Sequence, residues 1–143
     1  MSLPYKCQCS ANVDDRGVLF QIYGDPIKVP FTIKRIYIIK NFSRGTIRGL
    51  HYHKYESKAY VALNGAAKFI IKRPDQSVLC ETISSTCPQI LVIPPGYPHG
   101  WISLTDRTLL LGMSDKSLEE SKEDDQRMDP MELGKEIWEV KPR

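Results

Sequence analysis

The sequence predicts an all-β fold, and three observations predict it. Short β-branched and aromatic runs recur along the chain, as in "IKRIYIIKNF" and "PQILVIPP", and such residues favour strands. Turn chemistry separates the runs, with Asn64-Gly65 between "KAYVAL" and "AAKFIIK" and "TDR" between "WISL" and "TLLLGMS". The runs are many, short and closely spaced, which is the pattern of a sandwich or small barrel. Asn-Gly is the strongest short hairpin signal, so the strands on either side of it are expected to pair.

The 143 residues suit one domain over 1–143, with a core of about 14–113 and a polar C-terminal segment over 114–143. A chain of this length buries most of its apolar surface without disulfides. Hydrophobic residues make up 41% and charged residues 26%, so the composition is that of an ordinary soluble protein. The net charge is +3, and the lysines and arginines are scattered, which argues against nucleic-acid binding. No apolar run reaches the roughly 20 residues of a membrane span. The N-terminal "MSLPYKCQCS" lacks the apolar centre of a signal peptide. Cys7, Cys9, Cys80 and Cys87 do not form paired C-x-x-C motifs, and they read as free thiols of a reducing, cytoplasmic compartment. From Ser114 onward the chain is highly charged. It reads as a surface tail with one short helix, ending in an apolar "IWEV" that docks back on the body.

The chain has three histidines, and two of them, His51 and His53, sit two residues apart in "RGLHYHK". Residues i and i+2 of a strand share a face, so these two project side by side, with Leu50 and Tyr52 on the other face. The third, His99, lies in "VIPPGYPHGW". Strict alternation places Arg48 opposite His51, unless Gly49 permits a bulge. Tyr37 lies an even number of residues before His51, and both pocket lining and core packing suit it. Three histidines form a possible zinc or iron ligand set. Surface histidines on an edge strand are the plainer alternative.

The two histidine segments resemble the cupin motifs. Gly45, His51, His53 and Gly65 follow the first motif, except that Lys58 stands where its glutamate belongs. Pro94, Gly96 and His99 follow the second. The resemblance implies a jelly-roll β-barrel with the three histidines inside. A lysine is a poor substitute for an anionic metal ligand, so no metal or other cofactor is expected. A metal-dependent cupin enzyme using His51, His53 and His99 is one alternative. A non-catalytic sugar-binding cupin is another.

The wording around the motifs is closer still to the sugar-nucleotide cupins. "RGLHY" and the downstream Lys58 resemble the dTDP-4-dehydrorhamnose 3,5-epimerases, whereas His53 and Lys54 resemble the dTDP-4-keto-6-deoxyhexose 3,4-ketoisomerases. The resemblance runs from about Asp14 to Met113. It implies proton abstraction beside the keto group of a nucleotide-linked sugar, in deoxysugar or surface-polysaccharide biosynthesis, by a homodimer whose N-terminal strands cross the interface. On this reading His51 is the base, Lys58 stabilises the enolate, and His53 carries a second proton or orients the sugar. Arg48, His99 and Tyr37 bind the substrate. Histidine suits the base because its ordinary pKa is near neutrality, and an ammonium suits the developing oxyanion. The tyrosine acid of the epimerases is missing, because counting on from His99 puts Gly112 in its place. That favours 3,4-ketoisomerisation. Single-centre epimerisation, with Tyr52, Tyr55, Tyr60 or Tyr97 as the acid, stays open.

Overall fold

In the computed structural model, which describes residues 2–24 and 28–143, twelve strands alternate with turns and one short helix interrupts them near the C-terminus. The strands are β1 (Tyr5–Gln8), β2 (Ser10–Asp14), β3 (Gly17–Gln21), β4 (Arg35–Asn41), β5 (Ile47–Tyr52) and β6 (Lys58–Asn64). They continue with β7 (Ala66–Lys72), β8 (Val78–Ser84), β9 (Gln89–Ile93), β10 (His99–Ser103), β11 (Thr108–Ser114) and β12 (Gln126–Arg127). Two five-stranded antiparallel sheets face each other, in the orders β1-β9-β6-β11-β4 and β12-β5-β10-β7-β8. β2 and β3 form a separate hairpin. The architecture is therefore the expected all-β jelly roll, but an open sandwich rather than a closed barrel, because each sheet keeps its own hydrogen-bonded ladder.

The Asn64-Gly65 turn does not make the expected hairpin. β6 pairs with β9 and β11, while β7 pairs with β8 and β10, so the turn carries the chain from one sheet to the other. The reason lies in the strands themselves. "KAYVA" and "FII" are buried without alternation, so each needs a neighbour on both sides and cover on both faces. Pairing with one another would supply only one neighbour. The turn is held instead by Thr105 and Arg107. The Ala66 amide donates to Thr105 Oγ1 at 3.2 Å, and Asn64 Nδ2 donates to the Arg107 carbonyl at 2.9 Å.

The space between the sheets is filled by Tyr60, Phe69, Trp101, Leu91, Leu110 and their neighbours. Cys9, Val29, Phe31 and Ile33 cover the outer face of the first sheet. The C-terminal segment covers the second. Trp138 is buried against Leu50 and Ile70 and donates its indole N–H to the Pro130 carbonyl at 2.9 Å. The apolar end of the chain thus docks as expected. The charged stretch before it holds α1 (Leu118–Glu123), which opens on a capping box between Ser117 and Glu120. β12 then pairs with β5, setting Arg127 opposite His51. The segment is therefore a working part of the sandwich. Among the described residues no helix is long and apolar enough to cross a membrane.

Trp138→Ala should lower unfolding stability by about 3 kcal/mol, through lost burial and the cavity left over Leu50. Urea denaturation measures this. An unchanged midpoint would show that the C-terminal segment contributes nothing to the fold.

Candidate active site

A cavity of about 350 Å³ opens between the sheets, lined by Arg35, Tyr37, Arg48, His51, Lys58, Tyr60, Trp101 and Arg127 among others. Its volume falls in the range that takes a small ligand. His51 and Arg48 come from one sheet, and Tyr37, Lys58 and Tyr60 from the other.

Arg48 and His51 share the cavity because β5 bulges. His51 lies opposite His99 and Arg48 opposite Trp101, so two residues of β5 face the single Gly100 of β10. Gly49 takes a φ of +102°, and a Cβ there would stand 2.6 Å from the Gly100 Cα. Only glycine fits that backbone and that gap. The extra residue brings Arg48 round to the face of His51. Its Nε donates to Asn41 Oδ1 at 2.5 Å, and Asn41 Nδ2 donates to Ser103 Oγ at 2.9 Å. Arg48 lines the cavity from there.

The three histidines meet as the sequence predicts. The ring centroids of His51 and His53 are 5.6 Å apart, and those of His51 and His99 are 5.2 Å apart. Only His51 lines the cavity, and His53 and His99 lie buried behind it. Burial, then the charges of Lys58 and His53, pushes the His51 pKa down from 6.5 to about 4. His51 is therefore a neutral imidazole at pH 7. Its Nδ1 is 3.6 Å from Asp125 Oδ1, which is also 3.6 Å from His53 Nε2. His99 Nδ1 lies 2.8 Å from the Tyr97 carbonyl, which can only accept, so the ring is protonated there. Its Nε2 then accepts from the Tyr60 hydroxyl at 3.4 Å, and Tyr60 accepts from the Tyr37 hydroxyl at 3.3 Å. Burial drives the His99 pKa well down and those of Tyr37 and Tyr60 up.

Lys58 opens β6 with its side chain only 6% exposed, and burial lowers its pKa. Glu56 Oε2, 3.9 Å away, opposes that shift. Tyr37 lies directly beside Gly112 in the β4–β11 ladder. Its ring covers Gly112 and fills the space that any side chain at 112 would need. A phenol thus stands over the position where the epimerase pattern has its own tyrosine, supplied by the neighbouring strand. The Arg35 guanidinium sits 5.1 Å from the centre of that ring.

Arg35, Asn41, Glu56, Asp125 and Arg127 are site or supporting residues that the sequence reading missed. Arg35 carried a usable signal, since it is two residues before Tyr37 and shares its face. Asp125 carried none within "SKEDDQR". Among the described residues no three His, Cys, Asp or Glu side chains converge in a way that would hold a metal ion.

Residues 7–130 match the family described as FdtA: WxcM-like, C-terminal. The chain is 32% identical over 88 residues to a TDP-4-oxo-6-deoxy-alpha-D-glucose-3,4-oxoisomerase of Aneurinibacillus thermoaerophilus. That alignment covers 61% of this chain and 60% of the relative. A variant of the QdtA 3,4-ketoisomerase of Thermoanaerobacterium thermosaccharolyticum, solved with TDP-4-keto-6-deoxyglucose, superposes with a TM-score of 0.75 at 26% identity, over 87% of each chain. The dTDP-4-dehydrorhamnose 3,5-epimerase of Bacillus anthracis shares the fold, with a TM-score of 0.82 at 22% identity over 97% of this chain and 86% of that one.

The depressed His51 pKa has a measurable consequence. Unfolded His51 binds its proton near pH 6.5, but folded His51 does so only near 4. Between those values the unfolded chain holds more protons, so stability should fall as pH drops from 6.5 towards 4. His99, shifted in the same direction, adds to the loss. Urea midpoints across that window measure it, and the slope should shrink in His51→Asn.

Proposed function

Because the chain belongs to the FdtA, WxcM-like C-terminal family, we propose that it is a 3,4-ketoisomerase acting on a dTDP-linked 4-keto-6-deoxy sugar. The observation that carries the reading is a neutral, half-buried His51 facing a buried Lys58 across one cavity. The names of its relatives support it.

The protons beside a sugar ketone are acidic because the resulting anion spreads onto the carbonyl oxygen. His51 takes the proton from C3, and Lys58 stabilises the negative charge that develops on O4. The enediolate then gains a proton at C4, O4 ends as a hydroxyl, and O3 gives up its proton to become the new carbonyl. A positioned base is worth about 10²–10⁴-fold, and an aimed charge in a water-poor cavity adds a comparable factor. The Asp125 carboxylate, 3.6 Å from His51 Nδ1, favours the imidazolium that forms. His53 lies behind His51, 3.6 Å from the same Asp125 oxygen. Arg48, held by Asn41, offers its planar fork to a diphosphate oxygen. His99 holds Tyr60 and, through it, Tyr37 against the sugar. The chemistry needs no metal.

We assign the enzyme to a homodimer. The β2–β3 hairpin stands apart from both sheets and exposes Val13, Val18 and Leu19, and a lone two-stranded hairpin is marginal in water. Crossing to a second copy would cover it. Four free cysteines, two of them exposed, suit the cytoplasm. The product would feed deoxysugar assembly for surface polysaccharides.

Incubation with dTDP-4-keto-6-deoxyglucose in D₂O, followed by proton NMR, should show the 3-keto product with deuterium at C4. Deuterium at C3 or C5 of an unrearranged 4-keto sugar would point to an epimerase instead. His51→Asn should bind the substrate and lose turnover by about 10²–10⁴-fold. Turnover at the unaltered rate would remove His51 from the role of base. Exhaustive chelation should leave activity intact. Loss restored only by a divalent ion would favour a metal-dependent enzyme.

A further inference from the structure

Glu56 is a carboxylate with a fully buried side chain that the mechanism above does not use. It lies in the loop between β5 and β6 and collects partners from five parts of the chain. Oε1 accepts from Arg35 on β4 at 2.9 Å and from Ser114 Oγ on β11 at 2.5 Å. Oε2 accepts from Ser121 Oγ on α1 at 2.8 Å. The same oxygen is 3.3 Å from His53 Nε2 and 3.9 Å from Lys58 Nζ. A buried carboxylate is costly unless it is paired and hydrogen-bonded, and here both oxygens are.

We propose that Glu56 is a positioning residue of this site, a buried counter-anion that fixes Lys58 and His53 and locks α1 over them. Three observations carry this. Glu56 bonds to α1 through Ser121, and Asp125 follows that helix by two residues. The loop on either side of Glu56 is tied to the same segment, with the Tyr55 amide donating to Asp124 Oδ2 at 2.9 Å and the Ser57 amide to Asp115 Oδ1 at 2.9 Å. Glu56 also offsets the desolvation of Lys58. The charges around that ammonium come from every neighbouring element. They are Glu56 in the loop, Arg35 on β4, Asp124 and Asp125 after α1, and His51 and His53, with Tyr37 and Tyr60 on the cavity wall. Arg35 opposes the ammonium, so the anions decide whether the charge survives burial.

The proposal rests on the ketoisomerase reading for its assay. Glu56→Gln keeps the size and the acceptor oxygen but removes the charge. It should lower kcat roughly tenfold while KM stays nearly constant, since the loss falls on stabilising the enolate. Removing an anion favours the neutral amine, so the alkaline limb of the kcat–pH profile should move down by about one pH unit. A merely structural role would leave that limb where it is. An unchanged kcat and an unchanged limb would overturn the proposal. If Glu56→Gln fails to fold, Ser121→Ala decides the matter. It removes the Ser121 bond to Oε2, together with the longer contacts of the same hydroxyl to Arg35 at 3.3 Å and His53 at 3.4 Å, and should lower kcat severalfold while KM stays nearly constant. Behaviour identical to the unaltered chain in Ser121→Ala would then overturn the proposal. If the unaltered chain converts no dTDP-4-keto-6-deoxyglucose, the functional reading fails. If it converts the substrate and the variants match it, only the role of Glu56 fails.

Discussion

The close approach of Gly49 to Gly100 is the constraint on which the rest of the site depends. Two backbones meet where a Cβ on Gly49 would stand 2.6 Å from the neighbouring Cα. That contact inserts one extra residue into β5 opposite β10. The insertion turns Arg48 inward beside His51 while Leu50 stays on the outer face, under Trp138. Without it, strand alternation would leave the cavity with His51 but not Arg48. The packing of the C-terminal segment and the assembly of the site therefore begin from the same irregularity.

Electrostatics follows from the way the cavity is closed. Lys58, Arg35 and His51 are drawn out of water between two sheets, and each would be destabilised there as a lone cation. The compensating carboxylates come from outside the sandwich core. Glu56 sits in the loop that leads into β6, and Asp125 in the turn that leads into β12. The result divides the labour. Lys58 has Glu56 at 3.9 Å with Asp124 and Asp125 beyond it, whereas at His51 burial and the neighbouring cationic side chains outweigh Asp125 and hold the ring neutral.

The open sandwich places these groups on two walls. His51 and Arg48 reach in from one sheet, and Lys58, Tyr60 and Tyr37 from the other. Tyr37 can reach the cavity because Gly112 beside it has no side chain, so the ring settles into the gap. The sequence made Gly112 look like the loss of an acid. In three dimensions a phenol from the adjacent strand stands over it.

Much of this was legible in the sequence, for reasons of local physics. Strand composition marked β4, β6, β7, β9, β10 and β11, because β-branched and aromatic side chains suit a pleated, buried surface. The spacing of His51 and His53, and the Pro-Gly turn before His99, marked the site, because side-chain direction in a strand follows from parity alone. Other features depended on which segments meet. Asn64-Gly65 is a turn by its local chemistry, but the pairing needs of two fully buried strands made it a crossing between sheets. Arg48 faces inward only because Gly49 and Gly100 touch across the ladder. Glu56 and Asp125 look like ordinary surface charges in sequence. They become part of the site because β12 pairs with β5 and α1 packs over His53, and contacts between residues 65 or more positions apart leave no periodic trace. The sequence alone therefore determined the strands, the histidine cluster and the family wording, all of which are short-range patterns. Tertiary packing alone decided the sheet partners, the wall each group stands on, and which carboxylates balance the buried cations.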